Sequence, residues 1–148
     1  MPNTIHLTVA TIVERDGQFL MVKETKFGRQ VINQPAGHVE PGEEIQAAAI
    51  RETFEETGWH VELTGFLGFL TSFNETSGIT YYRLAFAAEA LEFDPDAVID
   101  SDIDYALWMS YEEIQQNLEQ LRSPGVISCV DDYLAKRIYP MEIFRNAL

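Results

Sequence analysis

The chain has 148 residues, 46% hydrophobic and 23% charged, which fits one globular domain over residues 1–148 and excludes a disordered chain. Its net charge of −14 opposes binding to polymeric nucleic acid, and no apolar run is long enough to cross a membrane. The one cysteine, Cys129, excludes an internal disulfide, and the first residues lack a secretory signal pattern, so we expect a cytoplasmic protein.

The first third of the chain predicts strands. Residues 4–14 are rich in β-branched side chains, and Asp16-Gly17 is a hairpin signal that predicts a return strand over residues 19–23. Residues 31–39 include a proline and a glycine, which favours a short strand followed by a loop.

A helix is predicted over residues 44–57, because this segment contains no Pro or Gly and is followed by Gly58, a C-cap signal. On a helical wheel Ala47, Ile50 and Phe54 share one side, which we predict to face the core.

The second half predicts two long strands, residues 59–73 and 79–91, joined by a polar turn. An acidic loop and a short strand over residues 105–109 follow. Ser110 and Glu113 form a capping-box pattern, and a last helix is predicted from Ser123-Pro124 to about residue 137. This order of elements predicts a mixed α/β or α+β sandwich.

Three carboxylates, Glu52, Glu55 and Glu56, lie within about 100° of one another on the face of the helix opposite the predicted core. Like charges at this spacing repel. The cluster therefore indicates either a solvated face, partly balanced by Arg51, or a site for Mg²⁺ or Mn²⁺, which prefer oxygen ligands.

The spacing around the cluster is Gly-x5-Glu-x7-Arg-Glu-x2-Glu-Glu-x-Gly and resembles the Nudix box of the Nudix hydrolases. The matching residues are Gly37, Glu43, Arg51, Glu52, Glu55, Glu56 and Gly58. Seven fixed residues would match by chance at roughly 10⁻⁸ per start position, so the resemblance is specific. Thr53 and Trp59 depart from the bulky aliphatics of the family pattern, at packing positions.

The resemblance implies a mixed sheet between helices, with the box forming a loop, a helix and a loop. It also implies that Glu52, Glu55 and Glu56, with the Gly37 carbonyl, ligate Mg²⁺ or Mn²⁺, and that Arg51 orients the glutamates. Nudix enzymes cleave a diphosphate linked to another group, with water attacking phosphorus.

A carboxylate has to accept or position the proton of the attacking water. Within the box, Glu52 or Glu55 is the candidate. In many relatives the base lies on a later loop, and here "DSDID" supplies Asp102 and Asp104, beside Asp100. A solvated loop is the alternative interpretation of this segment.

Further segments, "NQPAGHVE", "DSDID" and "LRSP", resemble the NudJ-type phosphatases of the same family. That subgroup acts on nucleoside tri- and diphosphates and on hydroxymethylpyrimidine pyrophosphate, releasing orthophosphate. The alternatives are a pyrophosphatase of ADP-ribose or dinucleoside polyphosphates, and a non-catalytic module that binds nucleotides.

A small phosphorylated substrate needs cationic contacts for its phosphates and an aromatic or apolar slot for its base. We predict Arg29, Arg83 and Arg122 for the phosphates, and Gln34 and Tyr82 for the base. The pattern leaves open whether the protein is a monomer or a homodimer.

Overall fold

A computed structural model describes residues 4–147, and its seven strands form one mixed sheet. The strands are β1 (Thr4–Arg15), β2 (Gln18–Lys26), β3 (Arg29–Asn33), β4 (Ala36–His38), β5 (Trp59–Asn74), β6 (Ile79–Phe93) and β7 (Ile103–Ser110). The helices are α1 (Ile45–Thr57), α2 (Tyr111–Gln116) and α3 (Pro124–Leu134), with short 3₁₀ turns at Leu118–Gln120 and Met141–Ile143. The predicted α/β sandwich is confirmed.

The order of strands in the sheet is β3-β2-β1-β6-β5, with β4 paired to β1 and β7 paired to β2. β1 and β6 run parallel, and the other pairs are antiparallel. β1 pairs with β2 only at Glu14 and Arg15, and Thr8 to Ala10 pair instead with β4. The sheet therefore opens between β4 and β3, and β4 leads directly toward α1.

The turn and cap signals of the sequence are confirmed. Asp16 and Gly17 both have positive φ, 52° and 79°, as a two-residue hairpin turn requires. Gly58 has φ 79° and ends α1, where its N–H donates to the Phe54 carbonyl. Ser110 and Glu113 form both hydrogen bonds of a capping box at the start of α2.

The core lies on both faces of the sheet. On one face Leu84 and Phe86 pack with Ala48 of α1. On the other face Ala85 and Ala87 belong to a larger cluster that includes Met21 and Ile114 and, from α3, Val126 and Val130. Because successive strand residues point to opposite faces, β6 separates α1 from α3.

The predicted core face of α1 was wrong. Ile50 is 37% exposed and Ala47 is exposed, whereas the buried residues of α1 are Ala48, Ala49, Thr53, Glu56 and Thr57. Small side chains let the helix backbone approach the sheet closely. The buried Thr53 hydroxyl is 2.7 Å from that of Thr11 and donates to the Ala49 carbonyl, so hydrogen bonds compensate for its polarity.

Among residues 4–147, no helix combines the length and the apolar content that a membrane crossing requires.

Candidate active site

Strand β4 is fixed to α1 by two hydrogen bonds. The Ala36 amide donates to Glu56 Oε1 at 2.8 Å, and Arg51 Nη2 donates to the His38 carbonyl at 3.0 Å. Gly37 lies between these two contacts. The residues of the predicted box are therefore brought together by the return of the chain from β4 into α1.

Arg51 is the centre of the carboxylate cluster. Its Nε and Nη2 donate to both oxygens of Glu43, and its Nη1 donates to Glu52 Oε1 at 2.9 Å and to Glu55 Oε2 at 3.1 Å. The hydrogen bonds with Glu43, followed by the charge of Glu52, raise the pKa of Arg51 above its ordinary value. One permanently charged guanidinium thus fixes the orientation of three carboxylates.

Glu56 is the buried member of the cluster, with 7% of its surface exposed. Burial raises the pKa of Glu56 to about 8, and the charges of Glu52, Glu24 and Asp100 act in the same direction. The Ala36 amide opposes them. Burial also raises the pKa of Glu52, against the opposing effect of Arg51. The site therefore carries more negative charge than its surroundings stabilise.

Gly37 is required by the shape of the site. A Cβ at this position would overlap the carboxylate of Glu52. A residue with a side chain would have to displace either β4 or the Glu52 side chain. The glycine thus lets the Glu52 carboxylate lie directly against the backbone of β4.

The donor set suits a hard divalent cation. In the described range 4–147, no three His, Cys, Asp or Glu side chains already converge in a form that could hold a metal ion. Glu52 and Glu55 point to Arg51 and Glu56 to Ala36, so side-chain rotations would be needed to share one ion. Carboxylate oxygens and the raised pKa of Glu56 fit Mg²⁺ or Mn²⁺, which would relieve the repulsion.

The acidic loop before β7 reaches the site through Asp100. The Asp100 amide donates to the Glu55 carbonyl at 2.9 Å, and the charge of Asp100 raises the pKa values of Glu52 and Glu56. Asp104 instead accepts hydrogen bonds from Thr25 and Gln30, and the Asp102 amide donates to Asp100. Of the three aspartates, the structure thus brings Asp100 to α1.

A cationic corner is formed by Arg83 of β6 and Arg122, which precedes α3. Arg83 donates to Gln34 Oε1, and the Gln34 amide nitrogen donates to the Val126 carbonyl at the start of α3. Arg122 donates to Glu24 Oε1 at 2.6 Å. Burial lowers the pKa of Arg83, Arg122 lowers it further, and the charges of Glu24 and Glu56 oppose this. The corner is therefore within electrostatic reach of the acidic helix.

Arg83 retains an unused donor. Its Nε is buried and has no hydrogen-bond partner within the described part of the chain. A buried N–H without a partner costs on the order of 1–3 kcal/mol. An anion bound in the corner would supply the missing acceptor.

Two predicted substrate residues lie apart from this corner. Arg29 is exposed, and its guanidinium donates to the Glu119 carbonyl, which fixes the 3₁₀ turn before α3. Tyr82 adjoins Arg83 in β6 within a regular register, so the two side chains point to opposite faces of the sheet. The structure therefore separates Arg29 and Tyr82 from Arg83 and Gln34.

Sequence reasoning missed Glu24 and a histidine pair. Glu24 lies on β2 and is 5% exposed. In the sequence it stands between Lys23 and Lys26, and a charged residue among charged residues gives no indication of burial. His6 Nδ1 and His38 Nε2 lie 2.9 Å apart, because β4 folds back on β1. Their separation of 32 residues gave no local pattern that could have indicated the pair.

Comparisons with known proteins agree with this geometry. Residues 4–127 match the sequence profile of the NUDIX domain. The chain is 39% identical over 138 residues to the Phosphatase NudJ of Escherichia coli K12, covering 93% of this chain and 89% of the relative. Phosphatase NudJ of Shigella flexneri gives the same identity and coverage.

A solved structure of a NUDIX hydrolase from Nitrosomonas europaea superposes with a TM-score of 0.92 at 37% sequence identity. The alignment covers 96% of this chain and 97% of that one. The sequence match, the superposition and the box geometry together show that this chain belongs to the Nudix hydrolases and is an enzyme of that family, similar to the NudJ phosphatases.

Proposed function

We propose that this enzyme hydrolyses phosphoanhydride bonds in small nucleoside or pyrimidine di- and triphosphates, with Mg²⁺ or Mn²⁺, and releases orthophosphate. The observation that carries the proposal is the pairing of two opposed charged regions. The carboxylates of α1 offer oxygen ligands for a cation, and Arg83 and Arg122 offer donors for phosphate oxygens. The 39% identity to the NudJ phosphatase of Escherichia coli K12 supports phosphatase activity.

The metal would be held by Glu52, Glu55 and Glu56, with the Gly37 carbonyl beside them. When bound, the cation neutralises charge developing on the phosphoryl group and lowers the pKa of the attacking water. Arg51 keeps the Glu52 and Glu55 carboxylates in place, because it donates to both. One of these two glutamates accepts the proton of the water, with Asp100 the candidate outside the helix.

The cationic corner would hold the phosphates. Arg83 has a free Nε–H, and its guanidinium is fixed by Gln34, so it can donate to a phosphate oxygen with little loss of side-chain entropy. Arg122 is 44% exposed at its side chain, and it can share its guanidinium between Glu24 and a phosphate. Gln34 is 1% exposed and bonded to both Arg83 and Val126, so in this proposal it positions Arg83 rather than contacting a base.

A panel of substrates with a phosphate-release assay tests the proposal. It contains nucleoside di- and triphosphates, ADP-ribose and diadenosine tetraphosphate, each with Mg²⁺ and with EDTA. We expect orthophosphate from the mononucleotides with Mg²⁺ and none in EDTA. Full activity in chelator would refute the metal assignment.

The panel also separates the alternatives. Faster turnover of ADP-ribose or diadenosine tetraphosphate than of any mononucleotide would assign the enzyme to another substrate class. Nucleotide binding without turnover of any member would instead indicate a non-catalytic module.

A further inference from the structure

The second feature of the molecule that suits a ligand is an aromatic cavity of about 480 Å³ at the C-terminal end of α1. It lies on the α1 face of the sheet, under the loop of residues 94–102, whereas Arg83 faces α3. Its volume is in the range of small-molecule sites. The residues that line it are Leu20, Thr57, Trp59, Phe93, Asp94, Pro95, Ala97, Ile99, Ile103, Asp104, Tyr105, Ala106, Leu107 and Trp108.

Three aromatic rings form the walls of this cavity. Trp59 and Trp108 meet edge to face with centroids 5.6 Å apart, and Phe93 packs on Trp59 at 5.3 Å. Tyr105 also lines the cavity, but it is 47% exposed, and in the regular register of β7 its side chain points to the face of the sheet opposite that of Trp108. The negative ring faces of Trp, Tyr and Phe attract cations, most strongly where water is excluded.

The charges around the cavity have the same sign as the ring faces. Among the described lining residues two are aspartates, Asp94 and Asp104, and none is Lys, Arg or His. Hydrogen bonds from Gln30 and Thr25 lower the pKa of Asp104, which keeps that carboxylate ionised. The cavity therefore combines carboxylates and aromatic faces, and its described lining residues include no cationic side chain.

One of the protein's own cations already lies over a ring of the cavity. The Arg15 guanidinium lies 5.2 Å from the centroid of Trp59. This contact indicates that the face of this ring accepts positive charge in this fold. A neutral ligand would satisfy the apolar walls but would add no opposite charge near Asp94 and Asp104.

We propose that this cavity is a binding site for a small organic cation, such as a quaternary ammonium or an N-alkylated aromatic ring, separate from the phosphate-binding corner. The rings would enclose the charged group, and Asp94 and Asp104 would supply charge complementarity at the edge. A hydrated inorganic ion fits less well, because the walls cannot replace its water ligands.

Both tryptophans of the chain line the cavity, so the indole N–H signals of ¹⁵N-labelled protein report on it directly. Benzyltrimethylammonium is the main probe, and equal concentrations of KCl control for ionic strength. Choline and its neutral isostere 3,3-dimethylbutan-1-ol are the pair matched in shape. We expect saturable shifts of both indole signals with the cations, and about tenfold weaker binding of the neutral isostere.

Two variants localise the binding. Asp94→Asn keeps an oxygen that can accept the Asp96 amide, so we expect the fold to survive while cation affinity falls several-fold. Trp108→Leu should abolish saturable binding, with the Trp59 signal as the remaining probe. Equal affinity for the isostere, no saturation beyond the KCl control, or unchanged affinity in Asp94→Asn would each overturn the proposal.

Discussion

The acidic helix and the cationic corner of the candidate site solve the problem of buried charge in opposite ways. On α1 Glu52 and Glu55 share the guanidinium of Arg51, and Glu56 is left with a pKa of about 8. In the corner Arg122 has a carboxylate of its own, and Arg83 has an amide. One buried donor, Arg83 Nε, lacks a partner in the described part of the corner, whereas the carboxylates of the helix outnumber their single guanidinium. The two regions should therefore respond differently to mutation, pH and metal.

Removing a carboxylate from the helix should have the largest effect. Glu55→Gln and Glu56→Gln should each lower kcat about 10³-fold, or about 4 kcal/mol, because each removes a proposed metal ligand that would act in the transition state. The measurement is kcat against Mg²⁺ concentration, with circular dichroism to verify the fold. Glu44→Gln, at the exposed start of α1, is the matched control. Near wild-type kcat in either variant would place the metal elsewhere.

Filling the space at Gly37 should be the next largest change. Gly37→Ala places a methyl group where the Glu52 carboxylate lies, and a displacement of about 1 Å at a catalytic group can cost about 10²-fold in rate. Steady-state kinetics should show this loss with little change in Tm. In a chain that already carries Glu52→Ala, Gly37→Ala should lower the rate little further. Equal rate losses in the wild-type and Glu52→Ala backgrounds would contradict the overlap between the added methyl group and the Glu52 carboxylate.

The pH dependence of stability should separate the helix from the corner. The folded pKa of Glu56 is about 8, above its ordinary value of 4.5, so its contribution to stability is present at low pH and is lost as pH rises through 8. In EDTA, the free energy of unfolding should fall by about 2–3 kcal/mol between about pH 6 and pH 9 relative to Glu56→Gln. Urea unfolding at each pH measures the free energy of unfolding, and Mg²⁺ should reduce the difference between the wild type and Glu56→Gln. If the free energy of unfolding changed with pH in the same way in both proteins, the raised pKa of Glu56 would be refuted.

Breaking the cationic corner should have the smallest effect on the reaction. Arg122→Ala should raise KM about tenfold with kcat nearly unchanged, because it removes the proposed phosphate contact, which would be present in both ground and transition states. It also leaves the buried Glu24 without its partner, which lowers Tm. Adding Glu24→Gln should restore Tm but leave KM high. Unchanged KM in Arg122→Ala would remove this residue from the substrate site.

The order of elements could be predicted from the sequence because its signals are local. The Asp16-Gly17 turn, the Gly58 cap and the Ser110 capping box are each decided by neighbouring residues, and all three were confirmed. The Nudix box, which indicates the family, is also a local signal, because its spacing depends on one loop and one helix.

What could not be predicted depends on contacts between distant segments. The wheel placed Ile50 and Phe54 toward the core because they are apolar, but the sheet instead receives the small residues of α1 and Glu56. Burial of Glu24 depends on Arg122, 98 positions later. The pattern of apolar residues identifies the buried face of a helix only when that face is itself apolar. A helix that buries a carboxylate, as α1 does, is therefore misread by this pattern.

The side-chain amide of Gln34 has a consequence for redesign of the chain. It gives a hydrogen to the Val126 carbonyl and takes one from Arg83, so it joins two neighbours of opposite polarity. Glutamate has the same shape but would set an oxygen against the Val126 carbonyl, and methionine would serve neither neighbour. In a library randomised at position 34 and selected for phosphatase activity, glutamine should therefore dominate. Glutamine is usually found on protein surfaces, but Gln34 is 1% exposed and is required here by its two hydrogen-bond partners.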